Sequence, residues 1–251
     1  MQTVPELVLE MNRLIEAARQ QEVQLRAFGG LAIFVHSQNN PRFFHRDSPD
    51  VDFVVPREQR KLLESFFESM GYVPNKRFNL LNGARRQIYY GEDENRRVDI
   101  LVGDFEMCHK LPLDDQRLEI DPLTIPLAEL LLSKAQIVQL NRKDALDIIS
   151  LLLNNDLGRE SEGKIGLDRI ALLCSQDWGL YKTVTMNLKR VQDLLGGEEF
   201  KLTDEEKSLI SERVHGIERA IQDAPKSLAW QLRDKVGTRV RWYEEVEEVD
   251  R

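Results

Sequence analysis

The sequence predicts an α+β fold: a mixed sheet with flanking helices, followed by an all-helical unit. Short apolar segments of strand character alternate with helical patterns as far as Ile120. From Pro126 onward the pattern is helical almost to the end. Both units would have an ordinary domain size. We therefore predict an α/β domain over residues 1–122 and a helical domain over residues 123–251.

The first unit is predicted to begin with a helix over residues 6–20, where apolar side chains recur at helical spacing. The predicted strands are Val23–Phe28, Val51–Val55, Tyr72–Val73, Arg86–Tyr90, Val98–Val102, Phe105–Cys108 and Arg117–Ile120. Two helices are predicted between the early strands, Leu31–His36 and a longer one from Pro56 to a stop at Met70–Gly71. Residues 37–49 are rich in turn formers and predict a loop, and Asn82-Gly83 predicts a hairpin turn.

The second unit contains six predicted helices, and one of them carries a clear start signal. Thr203 followed by Glu206 has the spacing of a capping box. The predicted helices span residues 126–140, 143–154, 166–174, 178–195, 203–222 and 225–245.

Composition favours a globular protein in a reducing compartment. Hydrophobic residues make up 41% of the 251 positions and charged residues 31%, which argues against wholesale disorder. The apolar runs are too short to span a bilayer, and the N-terminus has the character of an amphipathic helix rather than a signal peptide. Two cysteines, Cys108 and Cys174, provide neither a disulfide framework nor metal-ligand spacing. We therefore expect a cytoplasmic protein without a membrane partner.

The charge distribution argues against indiscriminate binding of nucleic acid. The net charge is −8, so a large basic surface is not expected. A local basic groove is compatible with the basic residues of the first unit, although a solvated face explains each of them as well. These residues are Arg42, Arg46, Lys76, Arg77, Arg85, Arg86, Arg96 and Arg97.

Three aspartates lie in or beside apolar strands. Asp50 and Asp52 are two positions apart, so on a strand they point to the same face. Asp99 lies in the apolar segment Val98–Val102, and a neighbouring strand would place it beside the first two. Buried carboxylates repel one another, and burial raises their pKa values unless a cation is present. A divalent metal removes the conflict, and Mg²⁺ prefers oxygen ligands, so the pattern predicts a two-metal site.

Other residues fit a nucleotide near these acids. Gly29-Gly30 falls at a predicted strand-to-helix turn, where backbone N–H groups approach a phosphate closely, although steric needs alone explain many such turns. Arg46 either neutralises triphosphate charge or belongs to a surface loop. Lys134, on an apolar helix face, either extends to its edge or reaches into a cleft. Asp147 is best explained as a structural salt-bridge partner.

These motifs together resemble the polymerase-beta-type nucleotidyltransferase superfamily. The resemblance covers about residues 23–153 and depends on Gly29-Gly30, Arg46-x-Ser48-x-Asp50-x-Asp52, and Asp99 in an apolar strand. Leu130–Leu153 is similar to the helical segment of the minimal and toxin-associated branches, with Lys134 and then Lys143-Asp144-x-x-Asp147. The loop between Gly30 and Asp50 is longer than in the tightest examples.

The resemblance implies a role for each residue. Asp50, Asp52 and Asp99 would bind two Mg²⁺ ions as the catalytic acids. The nucleoside triphosphate would be bound by Gly29, Gly30, Arg46, Ser48 and Lys134.

Three functions follow from these observations. The first is a Mg²⁺-dependent transferase that moves a nucleoside monophosphate from an NTP to an acceptor hydroxyl on an RNA end, a protein or a small molecule. The second is a catalytically inactive member that acts as a binding or interaction protein. The third is a two-metal nuclease, which ranks last because apolar residues, with no lysine, follow Asp99 on its strand.

Overall fold

A computed structural model of the chain describes residues 3–40, 50–91, 96–197 and 200–245. The chain separates into two compact units, and each has its own core. Unit 1 comprises Met1–His36, Phe44–Phe105 and Pro112–Pro126, whereas unit 2 comprises Ser37–Phe43, Glu106–Leu111 and Leu127–Arg251. The domain division predicted at residue 122 stays a prediction.

Unit 1 is built on a mixed five-stranded sheet. Its strands are β1 Arg26–Phe28, β2 Val51–Val55, β3 Tyr72–Pro74, β4 Arg86–Gly91 and β5 Arg97–Val102. Their spatial order is β1-β2-β5-β4-β3, with β2 and β5 parallel and the other neighbours antiparallel. The outer edge of β1 is covered, because Ala27 exchanges backbone hydrogen bonds with Leu123 and Ile125.

In the described part of unit 1, five α-helices accompany this sheet. They are α1 Val4–Gln20, α2 Gly29–Val35, α3 Leu63–Ser69, α4 Lys76–Asn82 and α5 Asp115–Glu119, and a 3-10 turn over Arg57–Leu62 precedes α3. Aromatic packing joins α3 to the sheet: the Phe67 ring is stacked 4.6 Å from Tyr89 and meets Tyr72 edge-on at 5.8 Å. Burying a side chain of this size contributes about 1.5–3 kcal/mol.

The two faces of the central strand pair differ in character. Phe53 and Ile100 are register partners on β2 and β5 and are fully buried. Because side chains alternate along a strand, the preceding residues Asp52 and Asp99 point to the opposite face. The apolar face anchors unit 1, and the other face carries the acids.

Unit 2 is mostly helical. Its helices are α6 Leu127–Ala135, α7 Arg142–Asn154, α8 Leu167–Gln176, α9 Trp178–Leu195, α10 Asp204–Asp223 and α11 Leu228–Val236. The remaining strands are two residues each: β6 Phe105–Glu106, β7 Lys110–Leu111, β8 Leu157–Gly158 and β9 Ile165–Gly166. Thr203 and Glu206 form the predicted capping box at the start of α10. Within the described ranges, no helix is both long enough and apolar enough to cross a membrane.

The predicted fold class, a mixed sheet with helices followed by a helical region, is confirmed. Four local predictions were wrong. The helix predicted over residues 225–245 spans only Leu228–Val236, and the helix predicted over residues 126–140 ends at Ala135. Residues 117–120 were expected to form a strand, but they lie in and just after α5, which begins where the Asp114 side chain accepts the Arg117 N–H. Asn82-Gly83 was expected to be a hairpin turn, but it is the end of α4.

Candidate acidic site on unit 1

Asp52 and Asp99 are direct neighbours on the central parallel strands. Asp52 on β2 is the register partner of Asp99 on β5, and adjacent strands lie about 5 Å apart. Asp50 immediately precedes β2, two positions before Asp52. Asp99 is buried, with 4% of its surface exposed, whereas 42% of the Asp50 side chain is exposed. The sheet therefore brings the two acidic segments together on one face.

Gly29 contacts the carboxylate of Asp52. The φ angle of Gly29 is +70°, in the region that favours glycine. A Cβ placed on Gly29 would lie only 2.4 Å from Asp52 Oδ2. Glycine is thus required here for two reasons, the backbone conformation and the close approach of the acid. The binding of phosphate by Gly29 and Gly30 stays a prediction.

Two arginines on the same face hold the Asp99 carboxylate. Arg86 binds it with both ends of its fork, Nε to Oδ1 at 2.7 Å and Nη2 to Oδ2 at 2.5 Å. Arg97 Nη2 also donates to Oδ2 at 3.0 Å, and its Nη1 lies 4.0 Å from Asp50 Oδ2. Bidentate arginine–carboxylate pairs are among the stronger ion pairs in proteins. The negative charge of Asp99 is therefore already compensated by the protein itself.

The charges of all three acids raise the pKa of Arg86. Its hydrogen bonds to Asp99 raise the pKa of Arg86 above its ordinary value; the nearby charges of Asp52 and Asp50 add to this effect, and partial burial opposes it. The guanidinium also lies over the Phe78 ring, 5.9 Å from the ring centroid. Arg86 is thus the central cation of the acidic face.

Lys134 lies in unit 2 and forms two ion pairs with acids of the same unit. Its ammonium lies 2.9 Å from Asp144 Oδ1 and 2.9 Å from Asp147 Oδ2. Burial lowers the pKa of Lys134, but the two carboxylates more than offset this, and the net shift is upward. The interpretation of Asp147 as a structural salt-bridge partner is confirmed. The predicted contact of Lys134 with a triphosphate stays a prediction, and Arg46 and Ser48 lie outside the described residues.

The carboxylates of the acidic face are ligands of the kind that a magnesium ion takes. Mg²⁺ is commonly held by one or two carboxylates and completes its shell with water and substrate phosphate oxygens. Asp52 and Asp99 supply such a pair, and the bound guanidinium of Arg86 acts as a stand-in that marks where positive charge is accepted. Among the described residues, no group of three or more His, Cys, Asp or Glu side chains is arranged to hold a metal ion. The predicted binding of two magnesium ions by the three acids therefore stays a prediction.

The sequence interpretation missed Arg86 and Arg97 as members of this site. They appeared only among basic residues that a solvated face would explain. A sharper signal existed: Arg97 and Asp99 share a face at strand spacing, and Arg86 begins the apolar segment 86–90. Their convergence on one carboxylate depends on strand order and register, which sequence spacing does not provide.

Two solved structures are similar to this chain. One is described as an antigenic nucleotidyltransferase-like protein from Paracoccidioides brasiliensis; it is 19% identical with a TM-score of 0.37, and the match covers 72% of this chain and 92% of that one. The other is described as a STING-associated CdnE c-di-GMP synthase from Capnocytophaga granulosa, at 11% identity and a TM-score of 0.32, covering 88% and 82%. No protein-family model and no curated protein matches the sequence. TM-scores this low carry no argument about function. The proposal of a function therefore rests on the geometry of the acidic face.

Proposed function

We propose that this chain is a magnesium-dependent nucleotidyltransferase that moves a nucleoside monophosphate from an NTP to an acceptor hydroxyl. One observation carries the proposal: Asp52 and Asp99 are register partners on the same face of parallel strands, with Asp50 two positions before Asp52. Asp52 also lies against Gly29, a position where no larger residue fits without displacing it. Mg²⁺ takes carboxylate oxygens together with the phosphate oxygens of an NTP, so this pair of acids suits a metal-bound nucleotide.

The proposed reaction makes one bond and breaks one. The acceptor oxygen forms a bond to the α-phosphorus, the bond between that phosphorus and the α–β bridging oxygen breaks, and pyrophosphate leaves. The proton of the acceptor hydroxyl passes to a carboxylate of the acidic face. When bound at Asp52 and Asp99, magnesium would supply positive charge for the triphosphate and the departing pyrophosphate. The rigid sheet holds the two acids in fixed positions, which favours a reaction that depends on orientation.

The direct test is transfer of label from α-³²P-labelled NTPs in the presence of Mg²⁺. The acceptors are offered separately: total RNA, a protein mixture that includes the chain itself, and a set of small hydroxyl compounds. Asp52→Asn should abolish any transfer, while Asp115→Asn, which changes an exposed aspartate of unit 1, should leave it intact. Transfer that persists undiminished in Asp52→Asn would contradict the proposal.

A second candidate is a catalytically inactive protein that retains the fold and binds a partner. Its supporting observation is the pair of arginines on Asp99, since both oxygens of this carboxylate already accept hydrogen bonds from Arg86. Calorimetry with Mg²⁺ and a non-hydrolysable NTP separates the two candidates. Binding that requires Mg²⁺ and disappears in Asp52→Asn favours the transferase, whereas binding that is absent or independent of Mg²⁺ favours the inactive protein.

A further inference from the structure

We propose that Arg86 is an exchangeable counter-ion: it holds Asp99 while no divalent cation is bound, and it moves to the phosphate groups of the nucleotide when one is. This inference rests on the proposed function and adds a positioning residue to it. In the exchange no covalent bond is made or broken. The guanidinium leaves one anion and binds another.

The first step of the argument is competition for the same oxygens. Arg86 donates to both carboxylate oxygens of Asp99, at 2.7 and 2.5 Å. A metal ion ligated by Asp99 would lie within a few ångströms of this guanidinium. Two cations so close repel each other strongly in a partly buried site. Binding of a divalent cation therefore favours release of Arg86.

The second step is that Arg86 is the more exposed of the two arginines that hold Asp99. The Arg86 side chain is 34% exposed, compared with 22% for Arg97. Arg97 is the more buried of the two and donates to one oxygen of Asp99, so it would remain as a counter-ion when Arg86 leaves. The Phe78 ring, 5.9 Å from the Arg86 guanidinium, offers this group a surface along which to shift.

The third step is where the released guanidinium goes. The backbone of Arg86 is fixed in β4, next to β5, so its guanidinium stays near the acidic face after it leaves Asp99. A nucleotide bound at Asp52 and Asp99 would bring phosphate oxygens to this same face. Guanidinium groups bind phosphate through the same fork that they use for carboxylate. Arg86 would then contribute to nucleotide binding only in the presence of the metal.

The test measures two affinities in the 251-residue chain. Mn²⁺, a paramagnetic probe for the magnesium site, is titrated without nucleotide and followed by electron paramagnetic resonance. Arg86→Met should bind Mn²⁺ about tenfold more tightly than the unchanged protein, because the competing cation is gone. The same variant should bind a non-hydrolysable ATP analogue with Mg²⁺ about tenfold more weakly, because a charged contact to phosphate is lost. Arg85→Met, an exposed arginine beside it, serves as the matched control and should change neither affinity.

Opposite shifts of the two affinities support the exchange, because damage to the fold would weaken both. An Mn²⁺ affinity that is unchanged or weaker in Arg86→Met overturns it. If Arg86→Met does not fold, Arg86→Lys replaces it, since an ammonium lacks the fork that holds both oxygens; a gain of about threefold in Mn²⁺ affinity is expected, and no gain overturns the inference.

A further variant separates this inference from the proposed function. Mn²⁺ binding that is lost in Asp52→Asn, together with no gain in Arg86→Met, refutes the exchange alone. If neither the unchanged protein nor Arg86→Met takes up Mn²⁺, the proposed function and the exchange fail together.

Discussion

Gly29→Ala should destabilise unit 1 and move Asp52, and the structure gives the magnitude. The φ angle of +70° costs a residue with a Cβ about 1–2 kcal/mol. The new methyl would lie 2.4 Å from Asp52 Oδ2, so the carboxylate must shift, and overpacking of this kind costs about 1–3 kcal/mol more. The expected loss is therefore about 2–5 kcal/mol in the free energy of unfolding, measured by urea denaturation.

Gly163 provides a matched control for the backbone part of this cost. It has the same φ angle of +70°, but nothing lies within 4 Å of the position of its Cβ. Gly163→Ala should therefore cost only the backbone share, about 1–2 kcal/mol. The excess in Gly29→Ala measures the contact with Asp52. Equal losses in the two variants would refute the steric argument.

A double-mutant cycle tests the contact itself. Asp52→Ala removes the carboxylate that the new methyl displaces, so its combination with Gly29→Ala should cost less than the sum of the two single losses. Additive losses would show that Gly29 and Asp52 do not interact. Because both residues belong to unit 1, the tryptophans of unit 2 do not report directly on this transition, and hydrogen exchange in β2 is the better local measurement.

Three further predictions concern unit 2. Lys134→Met should lower stability by about 3–5 kcal/mol in urea denaturation, because it leaves Asp144 and Asp147 without their shared buried cation, and a loss below about 1 kcal/mol would contradict this. Burial lowers the pKa of His109, so its contribution is complete above pH 6.5 and is lost as pH falls through its folded pKa; His109→Gln should flatten the stability profile below pH 6.5, and an unaltered profile would refute the assignment. Burial raises the pKa of Cys174 to about 12, so mass spectrometry should find this thiol unlabelled by iodoacetamide in folded protein at pH 8 and labelled after unfolding.

Long elements with a regular pattern could be predicted from the sequence, and short ones could not. Helix α9 has the predicted limits, because Asp177 caps its first turn and apolar residues recur on one face. Helix α4 escaped prediction because Leu80 and Leu81 are 86% and 74% exposed, so its apolar residues carry no burial pattern. The strand predicted at Val23–Phe28 is confirmed only over Arg26–Phe28, where it pairs with β2.

The spacing of Asp50 and Asp52 was accessible to sequence reasoning because strand spacing fixes which side a residue faces, whereas the register that sets Asp99 beside Asp52 was only an expectation. The role of Arg86 was not accessible, because it depends on β4 lying next to β5 and on the register that sets Ile88 opposite Asp99. Pairing between strands is a property of the whole sheet. A basic residue on an apolar strand can therefore belong to a site as readily as an acidic one.

The strand order also determines when the acids meet as the chain folds. β4 and β5 are consecutive and antiparallel, so Arg86 and Asp99 can pair early, within a local unit. The pairing of Asp52 with Asp99 joins parallel strands that are farther apart along the chain, and it is therefore a longer-range closure. Asp99 would thus reach Asp52 with its charge already compensated. The Arg86–Asp99 ion pair, which we propose is exchanged in function, would therefore also act in folding. It would reduce the repulsion between the Asp52 and Asp99 carboxylates when β2 pairs with β5.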